Sequence, residues 1–283
     1  MSAIRKSLRL SKKTIIDYKE KKIAGLKKQT AKQVIKKKKE IGTSIVTQST
    51  SKDIIDVQHD LSRKFELLKA IEHIKLHDPK LGAHLTEEMI ADFQLRLDRA
   101  DGANPFRSLV RAIVYQQIHG KAASSIYTRF LKLFDKESED LFPTPLEVLE
   151  KSVEELRSAG LSTRKAEYIR DLAEKFNNKL ITPEKFNSMS DQEISSQLCT
   201  VKGIGQWTAD MFLMFDLHHP DVLPVGDLAI RKGVAKHFGL VIPNSKKAFP
   251  SLEQMEQLTQ IWRPYRSLGC WLLWKISNIQ LAD

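Results

Sequence analysis

The stretch "VKGIGQWTADMF", residues 201–212, joins a Gly-x-Gly turn to a tryptophan. Gly203 and Gly205 permit positive φ and a close, side-chain-free approach. A helix that starts at such a turn points unpaired backbone N–H groups outward, and an N-terminus of that kind holds a phosphate oxygen. Lys202 adds charge, and Ile204 between the glycines can plug the groove between the flanking helices. Taken alone, the turn reads equally well as a plain helical hairpin with a glycine cap. A dinucleotide fingerprint is excluded: Thr208 stands where the third glycine belongs, and "SDQEISSQLCT" before the turn is a capped helix, not a strand. No Walker motif occurs.

Other residues could carry chemistry. Asp227 in "LPVGDLAIRKG" lies twenty residues after Trp207 and opens a helix. N-capping is the default role of an aspartate there, and the helix N-terminus favours its carboxylate form. Asp210, Asp216 and Asp221 are neighbouring acids. Arg164 and Lys165 in "LSTRKAEY" stand at another helix start, which suits either a second phosphate contact or a solvated first turn. Gln117 and His119 in "QQIHGK" fall near an exposed corner, where Gly120 is expected to stop a helix. The only cysteines, Cys199 and Cys270, lack motif spacing, which excludes a disulfide framework, a zinc site and a four-cysteine cluster. A reducing compartment is the simplest setting. His218 and His219 have no partners at ligand spacing and read as loop residues, so no side-chain metal site is expected.

These residues must be positioned by helices. "SRKFELLKAIEHI" spaces Phe65, Leu68, Ile71 and Ile74 along one helical face. "NPFRSLVRAIVYQQI" puts Pro105 in a first turn, ahead of Leu109, Ile113 and Val114. Helices follow in "KAASSIYTRFLKLF", "TPLEVLEKS" (capped by Thr144), "STRKAEYIRDLAEKF", "DLAIRKGVAKHFG", "LEQMEQLTQIW" and "YRSLGCWLLWKI". Ser152 with Glu155, and Ser190 with Glu193, match the capping box. No alternating strand pattern is present. The reading is all-α, with about ten helices from residue 61 to 283.

Charge separates the two ends of the chain. Residues 1–40 hold 15 of the 46 Lys and Arg but only 3 of the 35 acids, a net of +12, while the remaining residues sum to −1. Residues 1–60 are therefore read as a basic, disordered tail whose partner is an anionic polymer, or which is simply solvated. "KKKK" would serve nuclear import, and the acid-free first sixteen residues are compatible with a mitochondrial presequence. No apolar run approaches a membrane span, and the hydrophobic fraction of 41% suits a soluble protein.

"LCTVKGIGQWTADMF", "LPVGDLAIRKG", "YQQIHGKAASSI" and "WRPYRSLGCWLLW" together resemble the helix–hairpin–helix superfamily of DNA glycosylases. They closely resemble the 3-methyladenine DNA glycosylases of the bacterial inducible and fungal type, over roughly residues 100–280. The resemblance implies a bilobal helix–hairpin–helix fold and a monomer acting on double-stranded DNA that contains alkylated bases such as 3-methyladenine and 7-methylguanine. A damaged nucleotide must be extruded from the stack, and something must fill the gap. The resemblance puts that wedge in the loop with His119, or secondly Gln117. It puts the base pocket at Trp207 and Trp274, with Tyr127 and Tyr265 as weaker candidates, since a cationic base gains from an aromatic face. Asp227 would stand beside C1′ and stabilise the positive charge that builds on the sugar. The backbone grip falls to Lys202, Gly203, Ile204, Gly205, Arg164 and Lys165.

Strand-cutting members of the superfamily carry a lysine where this chain has Trp207. A monofunctional enzyme that leaves an abasic site is therefore expected. No cofactor is required, although relatives bind a monovalent cation through hairpin carbonyls. The β-rich N-terminal subdomain of the bacterial type has little room in residues 61–104 and is expected to be reduced or absent. The rival readings are a glycosylase for oxidised or mismatched bases and a non-catalytic DNA-binding hairpin module.

Overall fold

The computed structural model describes residues 65–98, 104–136, 142–240 and 249–280. The expected basic tail, its disorder and its targeting signals lie outside these residues. Thirteen α-helices and two 3-10 helices, with no strand, make up the regular structure among them. They are α1 (Leu67–His77), α2 (Pro79–Gly82), α3 (Glu87–Asp98), α4 (Pro105–Tyr115), α5 (Gly120–Lys132), α6 (Pro145–Glu150), α7 (Val153–Ser158), α8 (Thr163–Asn177), α9 (Asp191–Cys199), α10 (Gln206–Phe215), α11 (Leu228–His237), α12 (Leu252–Leu258) and α13 (Arg266–Gln280). The 3-10 helices are Pro183–Ser188 and Thr259–Trp262. No helix among the described residues is long and apolar enough to cross a membrane.

The helices form two groups. In one, α8 packs against α4, α6 and α7, with α5 against α4. In the other, α1 and α2 meet the last third of the chain: α1 touches the 3-10 turn at Thr259–Trp262, while α11 packs on α12 and α13. Phe93 stacks edge-on to Trp271 at 4.9 Å, which fixes α3 to α13. The hairpin pair α9 and α10 pack on each other, and α10 also touches α4. The segment 65–98 is thus a helical partner of the C-terminal group rather than a separate β subdomain.

Local sequence accounts for most helix starts. Thr144, Ser152, Ser190 and Ser251 each form a complete capping box, with the side chain accepting from the backbone three residues on and the Glu or Gln there reaching back. Asn104 caps α4 with Pro105 behind it, and Leu109, Ile113 and Val114 are fully buried. Two expectations are corrected. Gly120 does not stop α4, which ends at Tyr115, but begins α5. Leu68 does not face the core: it is 77% exposed, while Ala70, Ile71 and Ile74 are buried. A strict spacing of three drifts around a helix of 3.6 residues per turn, so the buried stripe passes through 70, 71 and 74 instead.

Candidate active site

Asp227 caps α11. Its Oδ1 accepts the Ile230 backbone N–H at 2.8 Å and the Trp274 indole N–H at 3.1 Å. Its Oδ2 accepts the Trp207 indole N–H at 2.7 Å. The capping role and a chemical role therefore do not compete, because a carboxylate offers about four lone-pair sites and only three are used. All three donors are neutral, so they aim the carboxylate without cancelling its charge. Trp207 comes from the first turn of α10, Trp274 from α13, and Asp227 from the loop before α11.

That loop is held from behind. The Arg266 guanidinium donates to Asp221 from Nε to Oδ1 at 2.6 Å and from Nη2 to Oδ2 at 2.9 Å. Ser267 Oγ donates to the His219 carbonyl and accepts Val222 N–H. His219 is buried with Nδ1 at 2.7 Å from Asp191 Oδ1, a contact joining this loop to α9. Asp221 is therefore spent on an ion pair. Asp210 is buried on α10, accepts from Gln206 Nε2 at 2.7 Å, and is pushed by burial from 3.8 up to about 6. Asp216 lines the cleft described next.

Asp227 opens onto a cleft of about 1210 Å³. Trp207, Trp274, Gln117, Arg164, Lys165 and Gly203 line it. Trp207 is half exposed. Arg96, Tyr115, Met211, Phe215 and Trp271 also line it and were not anticipated. Trp271 precedes Trp274 by three residues on one helix, a spacing that could have revealed it. Arg96 lies on α3, far away in the chain, with its guanidinium 4.3 Å from the Phe215 ring centroid, and no local signal announces it.

Tyr127 is a correction. Its ring is 4% exposed on α5, stacked toward Phe142 at 6.3 Å, and it does not line the cleft. It faces inward among Ala123, Phe130 and Leu131, so it belongs to the core. Tyr265 also sits elsewhere, against Phe65 and His73.

The hairpin runs from α9 through the turn to α10. Ile204 is buried, while Lys202, Gly203 and Gly205 are exposed. Gly203 has φ +81°, and a Cβ there would meet the Tyr168 ring at 2.1 Å. Gly205 is the N-cap of α10, with no side-chain cap, which leaves the first N–H groups of that helix facing out. The Lys202 N–H is already taken by Asp171 Oδ2 at 2.8 Å. Burial works to raise Asp171, but Lys175 and this N–H outweigh it and hold the carboxyl below its ordinary value.

The loop between α4 and α5 carries Gln117 and His119. Gln117 adopts φ +55°, a left-handed conformation that costs a non-glycine residue roughly 1–2 kcal/mol. His119 is the exposed N-cap of α5 and makes no side-chain cap bond. Lys165 departs from its expected role: Nζ donates to the Val114 carbonyl at 2.6 Å and the Gln116 carbonyl at 2.8 Å. Burial lowers its pKa. Arg164 is exposed at the start of α8.

A helix-capping aspartate held by two indoles beside a hairpin is a distinctive arrangement, and comparison with known proteins identifies its class. A family profile described as HhH-GPD superfamily base excision DNA repair protein matches residues 110–264. The chain belongs to that superfamily. DNA-3-methyladenine glycosylase 1 of Schizosaccharomyces pombe is 31% identical over 226 residues, 79% of this chain and 94% of the relative. The alkylbase DNA glycosidase-like protein mag2 of the same organism is 33% identical over 62% of this chain and 79% of its own length. Among solved structures, the Schizosaccharomyces pombe 3-methyladenine DNA glycosylase in complex with abasic DNA superposes with a TM-score of 0.58 at 30% identity, over 74% of this chain and 97% of that one. A DNA-3-methyladenine glycosidase from Bacillus halodurans gives 0.55 at 35% identity, over 64% and 78%.

Proposed function

We propose that this chain is a monofunctional DNA glycosylase that hydrolyses the N-glycosidic bond of alkylated bases in double-stranded DNA, leaving an abasic site for base excision repair. The observation that carries this reading is the Asp227 carboxylate, held by three neutral donors at the edge of a cleft lined by indole rings. Similarity to named 3-methyladenine glycosylases supports it.

The chemistry follows from the geometry. A base methylated on a ring nitrogen is cationic and already a good leaving group, so the pocket needs aromatic faces rather than a proton donor. Trp207 and Trp274 supply them, and a cation over such a face gains about 0.5–2 kcal/mol. As the bond to C1′ breaks, positive charge grows on the sugar. The uncancelled charge of Asp227 stabilises it, and the remaining lone pair on Oδ2 orients the water that attacks C1′. The outward N–H groups at the start of α10, with the Lys202 side chain, hold a backbone phosphate. Arg164 holds another. We assign the gap-filling role to Gln117 rather than His119, because Gln117 lines the cleft and its backbone is held in a left-handed conformation of the kind found at functional sites. The hairpin carbonyls of Val201 and Gly203 each accept one N–H, and a monovalent cation drawn to hairpin carbonyls would add to the phosphate attraction. The protein acts as a monomer.

The test is incubation with a methylated duplex. Free 3-methyladenine should appear, the strand should break only after alkali, and borohydride should trap no enzyme–DNA adduct. A trapped adduct would overturn the monofunctional assignment. Tight binding to abasic-site DNA with no base released would favour the non-catalytic module.

A further inference from the structure

One face of α8 touches both DNA-directed devices. Lys165, Tyr168 and Asp171 follow one another at three-residue steps, on adjoining turns of the helix. The Lys165 ammonium binds the carbonyls of Val114 and Gln116, at the root of the loop that carries Gln117. The Tyr168 ring lies against Gly203, and Asp171 accepts the Lys202 N–H, both in the hairpin turn. A direct link closes the circuit: Gln116 Nε2 donates to the Gly203 carbonyl at 2.9 Å. Val114 and Gln116 end α4, where carbonyls lack helical partners and a cation is favoured by the dipole.

Resting on the glycosylase reading above, we propose that Lys165 and Gln116 are positioning residues that hold the gap-filling loop at a set distance from the hairpin. The phosphate grip and the wedge then act on the duplex as one rigid body. Neither residue takes part in bond cleavage. Their contribution is confined to opening a paired site, the step at which a side chain must enter the stack while the backbone is held.

This separates two substrates. One duplex carries 7-methylguanine paired with cytosine; the other carries it unpaired in a single-nucleotide bulge. Single-turnover excision at saturating enzyme is measured on both, for wild type, Lys165→Met, Lys165→Arg and Gln116→Ala. Loss of the charge-assisted bonds should slow Lys165→Met about 10- to 100-fold on the paired substrate. On the bulge it should stay within about twofold of wild type, because no pair has to be opened there. Lys165→Arg keeps a donor and should recover most of the paired rate. Gln116→Ala should show the same selective loss, and it carries the test if Lys165→Met fails to fold, since Gln116 is a partly exposed loop residue. Equal losses on both substrates, or no loss on the paired one, would overturn the inference alone. A wild type that excises from neither would overturn the glycosylase reading and this inference with it.

Discussion

Asp227 has a double in the molecule. Asp78 caps α2, with Oδ1 accepting Leu81 N–H at 2.9 Å, and its Oδ2 accepts a tryptophan indole, that of Trp262, at 2.7 Å. Both aspartates thus combine a helix cap with an indole donor, and both accept three hydrogen bonds. They differ in the third donor and in access. Asp78 takes His237 Nε2 at 2.6 Å, a ring able to match its charge, and is 5% exposed beside a wholly buried Trp262. Asp227 takes a second indole and faces open space. A carboxylate closed in with a titratable partner holds parts of the fold together. The same carboxylate on neutral dipoles, open on one side, keeps its charge for whatever enters.

The sharpest way to break this contrast is to exchange charge for shape at each site. Asp227→Asn should lower single-turnover excision by about 10³-fold or more while abasic-site binding persists. Its helix cap survives, since Asn caps as well as Asp, but the amide NH2 then faces the half-exposed Trp207 indole N–H, so stability should fall slightly, and far less than in Asp78→Ala. Asp78→Ala should do the reverse. It strands the Trp262 N–H and the His237 ring in the interior and should cost about 3–5 kcal/mol in denaturant unfolding. Its excision rate below the melting transition should stay near wild type. If Asp78→Ala were stable but inactive, the division of labour would be wrong.

The indoles test the same point more finely. Trp207→Phe keeps a ring in the cleft but removes one donor, and should slow excision about tenfold with little change in stability. Trp262→Phe leaves Asp78 short of a donor and should destabilise by about 1–3 kcal/mol with no change in the rate for folded enzyme. Rate assays paired with urea titrations would read both.

Much of this was legible in the sequence, and what was not has a physical cause. The capping boxes at Ser152 and Ser190 need only residues three apart, so the chain announces them. The partnership of Trp207 with Asp227 was legible only through resemblance, and then as a pocket wall beside an acid. That the indole N–H binds the carboxylate depends on how α10 meets α11. The Asp78 cluster was invisible, because residues 78, 237 and 262 come together only in the folded chain. Tyr127 was misplaced because an aromatic residue type does not say which way its helix turns it. Lys165 looked like a phosphate contact because its position at a helix start is plain in sequence, while the two carbonyls it binds are not.

Asp210 supplies the smallest effect and a third case. It is buried like Asp78 but accepts from the neutral Gln206 amide, and burial lifts it from 3.8 to about 6. A carboxyl whose pKa is higher in the folded state binds protons more tightly there, so stability falls as pH rises through about 4 to 6 and stays lower above. Asp210→Asn should remove that slope and gain about 1–2 kcal/mol at pH 7.5. Urea midpoints at pH 4.5 and 7.5 would show it. An unchanged slope would mean that the carboxyl is better satisfied than its surroundings suggest.

The two glycines of the hairpin look alike on the page of letters, yet they answer to different masters. Gly203 is forbidden a side chain by the protein's own interior, through its left-handed backbone and the Tyr168 ring behind it. Gly205 has φ −106° and nothing within 4 Å of where a Cβ would stand. A mutational scan scored by expression and folding would find position 203 intolerant and position 205 permissive. The same scan scored by survival under methylating stress would find both intolerant. On the reading proposed above, the open space beside Gly205 is where a DNA backbone would approach, and only selection in the presence of damaged DNA would detect that demand.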